Sequence, residues 1–153
     1  MDLDHRLMTP PSIRETHRAS APDGTVIVWD LRIGQPNVTR LPGPVLHSIE
    51  HALIAYLRRG SPAVIHAAPM GCGTGLYVVT TGALTFEQVA QFVADALEAL
   101  LRATAVPMAD VQQCGAAEYH TLSGAQEVAR WLLLRRTEWA QASITPTTTA
   151  EEP

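Results

Sequence analysis

The chain has 153 residues, a formal net charge of -4, 46% hydrophobic residues and only two cysteines. That length supports one domain with a single core that folds without disulfides or a structural metal, so a bound metal would serve chemistry rather than folding. The acidic balance, with no basic run beyond Arg58-Arg59 and Arg135-Arg136, argues against nucleic acid and anionic membrane surfaces as partners.

No apolar run approaches the ~20 residues of a membrane span. The amino-terminal MDLDHRLMTPPSIR has no basic start followed by an apolar stretch, which leads to the expectation of a soluble cytoplasmic protein. In a reducing compartment Cys72 and Cys114 read as a ligand or a reactive thiol rather than as a disulfide.

Residues 1 to about 24 are rich in Pro, Ser, Thr and Arg without sustained periodicity, and the expectation is an irregular arm whose turn at Asp23-Gly24 leads into the first strand. In TVIVWDLRI the side chains of Ile27, Trp29, Leu31 and Ile33 alternate with those of Val28, Asp30 and Arg32, the period of a strand with one core face and one face that presents Arg32. After the loop GQPNVTRLPGP, Pro44 stands near the first turn of a helix through HSIEHALIAYLRR, where its missing N–H costs little.

AVIHAAP and GLYVVTT then read as two short strands joined by the glycine-rich MGCGTG, which exposes Cys72. The second helix carries capping-box spacing at Thr85 and Gln88 and an apolar stripe of Val89, Phe92, Val93, Ala96, Leu97, Leu100 and Leu101. A third helix is expected to start at Ser123, with Gln126 as capping partner, and to run through EVARWLLLRRTEWAQ. Residues 1–142 then form one domain, and the tail 143–153 is too poor in apolar residues to fold. No internal repeat is present. Strand, helix, two strands, helix, a short strand or loop around Cys114, and helix make an α+β fold: an antiparallel sheet with helices packed on one face.

The chemistry concentrates in His47, Glu50 and His51. On a helix the two histidines lie one turn apart on one face with Glu50 beside them, so two imidazoles can grip one ion while a carboxylate moves protons. Cys114, 63 residues after His51 in QQCG, would complete a His2Cys set, which leaves one coordination position open for substrate. Taken alone, HxxEH also suits an inverted zinc peptidase with a carboxylate as third ligand, but Glu87, Glu98, Glu118 and Glu127 offer no distinctive spacing.

Five blocks, DLDH at Asp2 to His5, WDLRIGQPN at Trp29 to Asn37, HSIEH at His47 to His51, PMGCGTG at Pro69 to Gly75 and QCG at Gln113 to Gly115, together resemble the S-ribosylhomocysteine lyases, which make the autoinducer-2 precursor used in quorum sensing. The resemblance implies His47, His51 and Cys114 as ligands of one divalent metal per subunit, iron(II) or zinc. It implies an α/β sandwich whose sheets face each other across a homodimer interface holding the active sites. The implied reaction splits the thioether of S-ribosylhomocysteine by carbonyl migration and β-elimination, giving homocysteine and 4,5-dihydroxy-2,3-pentanedione. Glu50 and Cys72 would move the protons, and Arg32 would orient the Cys72 region or substrate oxygens. His5, Arg58 and the position of His66 would contact substrate.

The chain departs from that pattern in three places. A serine that precedes the DLDH histidine in the family has no counterpart after Met1. His66 stands where the family has an aspartate, and Gly34 where it has a larger side chain. A histidine is not a fixed anion for an ammonium group, which leaves open a paralogue that applies the same enolisation or C–S cleavage to another sugar or thioether. A metallopeptidase and a binding module without activity are the other classes.

Overall fold

The computed structural model describes residues 4–140. Four strands, β1 (Ser12–Ala21), β2 (Gly24–Arg32), β3 (Val64–Pro69) and β4 (Gly75–Thr81), form one antiparallel sheet in the order β1-β2-β4-β3. Three helices, α1 (Gly43–Gly60), α2 (Phe86–Arg102) and α3 (Leu122–Leu134), make the second layer. The α+β class, the antiparallel sheet and the strand pair around MGCGTG are as the sequence implied.

The alternation in β2 decides which side of the sheet is core. Ile27, Trp29, Leu31 and Ile33 are buried and pack with Leu76 and Val78 of β4 and Ala67 of β3 under Ile49, Leu53 and Leu57 of α1 and Val93, Leu97 and Leu100 of α2. The Trp29 indole N–H stays satisfied there by donating to Thr80 Oγ1 at 3.0 Å, as a buried donor must. By the same alternation Val26, Val28, Asp30, Arg32, Tyr77 and Val79 belong to the opposite, open face. Arg32 is not presented to solvent as its strand position suggested: it is 2% exposed, because Asp30 neutralises it within the same face.

The amino-terminal arm needs correction. Residues 12–21 are not irregular but form β1, a hairpin partner of β2 closed by the turn at Pro22-Asp23, with a register shift between Glu15 and His17. Its periodicity is hidden because it is an edge strand with a largely exposed second half, so polar residues occupy both faces.

The helix boundaries follow their caps. Thr85 and Gln88 form the expected reciprocal capping box of α2. The expected box at Ser123 and Gln126 does not form. Thr121 is the N-cap and its side chain accepts from Gly124 N, while Gln126 donates its amide to the carbonyls of Leu100, Leu101 and Ala103 at 3.1, 3.4 and 3.0 Å. Leu100 O also accepts from Ala103 N at 3.1 Å, while Leu101 and Ala103 lie at the end of α2, where carbonyls lose their helical donors, so Gln126 joins the two helices. Gln126→Ala should lower stability by about 1–2 kcal/mol, measured as the shift of the urea midpoint at constant slope.

Nor does α3 continue to Trp139. It stops at Leu134, and a single 3-10 turn at Arg136–Glu138 brings Trp139 back into the core at 0% exposure. There its indole N–H donates to Leu132 O at 3.0 Å, and its carbonyl accepts from Ile13 N at 2.9 Å. Burial of the largest side chain in the segment overrides continuation of the helix. The tail 143–153 lies outside the described residues. Among the described residues no helix is long and apolar enough to cross a membrane.

Candidate metal centre and the thiol turn

On α1 the stripe Leu46, Ile49, Leu53 and Leu57 faces the core. The same helical spacing turns His47 and His51 together toward the segment that leads to α3. That segment is shaped by Asp110, whose carboxylate accepts from the backbone N–H groups of Gln112 and Gln113 and whose carbonyl accepts from Cys114 N at 2.9 Å. The resulting turn points Cys114 at the helix. One ligand atom from each of His47, His51, Cys114 and His120 lies within 4.8 Å of the others.

The donor set fits a transition metal. Cys114 Sγ is 3.5 Å from His47 Nε2, close to the edge of about 3.5 Å that tetrahedral Zn–N and Zn–S bonds require. His47 Nδ1 lies 2.8 Å from Tyr119 O and His51 Nδ1 2.9 Å from Pro107 O. A carbonyl can only accept, so both rings carry their proton on Nδ1 and turn a bare Nε2 inward, the tautomer that metal binding needs. Cys114 Sγ also accepts from Ala116 N at 3.4 Å.

Sequence reasoning missed His120. Its signal was the single histidine of the inter-helix segment, six residues after Cys114. Burial first, then the repulsion that His47 and His51 exert when protonated, hold its imidazole below the ordinary range. Glu50 is half-buried on the same helix, one turn before Ile54, with no hydrogen-bond partner among the described residues. Its carboxylate is therefore not committed to a structural role.

Cys72 lies in a second cluster. Arg32 donates to both oxygens of Asp30 at 3.1 and 2.6 Å, to Thr74 Oγ1 at 2.6 Å and toward Cys72 Sγ at 3.8 Å. Arg14 adds a second cation to Asp30 at 3.5 Å. Thr74 Oγ1 is 3.0 Å from Cys72 Sγ. The turn that carries the thiol is pinned by Ile33 N and Gly34 N on Thr74 O. Gly73 at φ +72 and Gly75, whose Cβ would strike Leu31 O, are the residues that this packing demands.

Burial pushes the Cys72 thiol up, but hydrogen bonds from Thr74 and then the charge of Arg32 outweigh it and leave the thiol below its ordinary value. Alkylation of Cys72, followed by peptide mass spectrometry, should therefore show a pH midpoint below that of a free cysteine. Thr74→Val should move the midpoint up; an unchanged profile would deny Thr74 this role.

The remaining site residues fall in two places. Arg58 donates from Nε and Nη2 to Ile65 O at 3.0 and 2.5 Å, tying the end of α1 to the backbone beside exposed His66 on β3. His5 is exposed in a single 3-10 turn capped by Asp4, whose carboxyl is held at about 2 by hydrogen bonds from the Arg6 side chain and backbone. Among the described residues no hydrogen bond or ion pair links the Arg32–Thr74–Cys72 cluster to the His–Cys group. One belongs to the open face of the sheet and the other to the helix layer.

A family model described as S-ribosylhomocysteinase (LuxS) matches residues 1–143. A protein of Dichelobacter nodosus (strain VCS1703A) named S-ribosylhomocysteine lyase is 38% identical over 141 residues, covering 92% of this chain and 92% of its own length. The protein of the same name from Helicobacter pylori (strain Shi470) is 35% identical over 144 residues, covering 94% and 93%. That of Halobacillus halophilus is 38% identical over 141 residues, covering 92% and 93%. With the HxxEH helix, the Cys72 turn and Cys114 all in place, this chain belongs to the S-ribosylhomocysteinase (LuxS) family of carbon–sulfur lyases.

Proposed function

We propose that this protein cleaves the thioether of S-ribosylhomocysteine to homocysteine and 4,5-dihydroxy-2,3-pentanedione, with one divalent metal per subunit and active sites shared across a homodimer. The observation that carries the reading is the convergence of His47, His51 and Cys114 in a chain of this family. Two nitrogens and a sulfur suit iron(II) or zinc rather than magnesium or calcium. When bound, the ion would supply a Lewis acid for a sugar carbonyl.

The residues then divide the work. Carbonyl migration requires a proton to leave one carbon and arrive at its neighbour, and Glu50 is the uncommitted carboxylate beside the histidines. In the final step a proton leaves the carbon next to the carbonyl, the C–S electron pair departs with sulfur, and homocysteine takes up a proton. Cys72, with its thiol pKa lowered by Thr74 and Arg32, suits the second set of transfers. Arg32, fixed by Asp30, orients the thiol turn. Arg58, His66 and His5 are the candidates for holding the amino-acid and sugar ends of the substrate.

Dimerisation supplies what one chain lacks. The open sheet face carries Val26 and Tyr77 as exposed apolar side chains, a surface suited to a second copy. With the Cys72 cluster on that open face, a second copy packed there is the candidate for completing its site with a metal centre. Two free cysteines with assigned chemistry suit a reducing cytoplasm.

A second reading, the same chemistry on another sugar or thioether, is favoured by exposed His66, which offers no fixed negative charge to an ammonium group. Anaerobically purified protein should hold one equivalent of metal and release free thiol from S-ribosylhomocysteine. Bound metal with no thiol release would select the second reading, and absence of metal would end both.

A further inference from the structure

Resting on the metal-centre reading above, we propose that His120 is not a fourth ligand but a positioning residue, latched by Ser48, that fixes the His47 ring and leaves the fourth coordination position open. Three observations carry this. The His120 ring is stacked on that of His47, with centroids 3.9 Å apart and planes 22° apart, whereas His47 and His51 stand edge to face at 86°. An imidazole lone pair lies in its ring plane. Rings at nearly right angles can aim two lone pairs at one ion, but stacked rings cannot, because the ion would stand far out of one plane.

The second observation is Ser48, a wholly buried hydroxyl. Its Oγ donates to Pro44 O at 2.7 Å and accepts from Thr121 N at 2.8 Å. Its proton being used, Oγ can only accept from His120 Nδ1 at 3.2 Å, so the hydroxyl is fully satisfied. One side chain of α1 thus holds both His120 and the N-cap of α3. Third, this bond directs His120 Nε2 to 3.4 Å from Cys114 Sγ; the tautomer is the same as in His47 and His51, and it is the stacked orientation on His47 that keeps its lone pair off a shared ion.

X-ray absorption of the zinc-loaded wild type should count two imidazoles and one sulfur, with the remaining position taken by a light atom. Three imidazoles would overturn the proposal while leaving the functional reading intact; no bound zinc would overturn both. His120→Ala and Ser48→Ala should each weaken cobalt(II) affinity by roughly 10–100-fold, the usual effect of an outer-sphere partner, measured by chelator competition. Both should shift the sulfur-to-cobalt absorption band. His120→Asn, whose amide nitrogen can restore the bond to Ser48 but not the stack on His47, should stay as weak as His120→Ala. An affinity within twofold of wild type in His120→Ala or in His120→Asn would refute the positioning role of the ring. If metal-free His120→Ala fails to fold by circular dichroism, the wild-type imidazole count and the asparagine variant still decide the matter.

Discussion

Replacing Cys114 with alanine should reduce the metal content of the purified protein from stoichiometric to trace and abolish thiol release. Of the ligand set, only the sulfur carries charge. Two neutral imidazoles remain in the variant, with nothing to offset the positive charge of the ion. The loss of affinity should exceed the ~100-fold that marks the upper range for outer-sphere partners. Folding should survive, because Cys114 is half-buried in an inter-helix segment and is no part of the apolar core. Elemental analysis and circular dichroism on one preparation separate the two effects. His47→Ala should give the same result. Metal retained at full occupancy in Cys114→Ala would point to His120 as the replacement ligand or to a peptidase-like site, and would remove the sulfur from the mechanism.

Cys72→Ala should do the opposite: full metal content, an unchanged fold, and turnover lower by roughly 100-fold or more, the contribution of a positioned acid–base group. The contrast arises because the thiol's partners are Thr74 and Arg32 rather than any group at the metal centre. Co-expression with Cys114→Ala makes the test sharper. If each site takes its metal from one subunit and its thiol from the other, a mixed dimer contains one wholly intact site and one doubly damaged one. Random pairing should then restore about a quarter of wild-type activity from two inactive parents. No recovery in dimers verified as mixed would place both groups in the same chain's site. Glu50→Gln should resemble Cys72→Ala in keeping its metal, and normal turnover there would exclude the carboxylate.

The convergence of His47, His51 and Cys114, a group that could hold a metal, was legible in the sequence because helical periodicity converts HxxEH directly into a shared face, and the resemblance supplied Cys114 as a third donor. His120 was not, because its place depends on the path of the 103–121 segment and on a bond to Ser48, 72 residues away. Arg32 was legible by register but not by burial: the strand pattern set its face, whereas its enclosure depends on Asp30, Arg14 and Thr74 gathering around it. β1 was missed since an edge strand has too little buried surface to impose alternation. The break before Trp139 was missed because apolar spacing does not reveal which side chain a distant core will recruit. The capping box expected at Ser123 and Gln126 was wrong because local spacing does not show where a side-chain amide goes: Gln126 serves the carbonyls that tertiary packing brings near, at the end of α2.

The return of Trp139 to Ile13 has a bearing on how β1 is kept from pairing with other chains. The outer rim of β1 offers unpaired backbone groups, the usual template for runaway strand pairing between molecules, and the chain's own last described residues occupy part of it through the parallel bridge of Ile13 with Ala140. A copy shortened to end before Trp139 would lose that cover and leave an indole-sized hole beneath it, turning a guarded margin into an adhesive one.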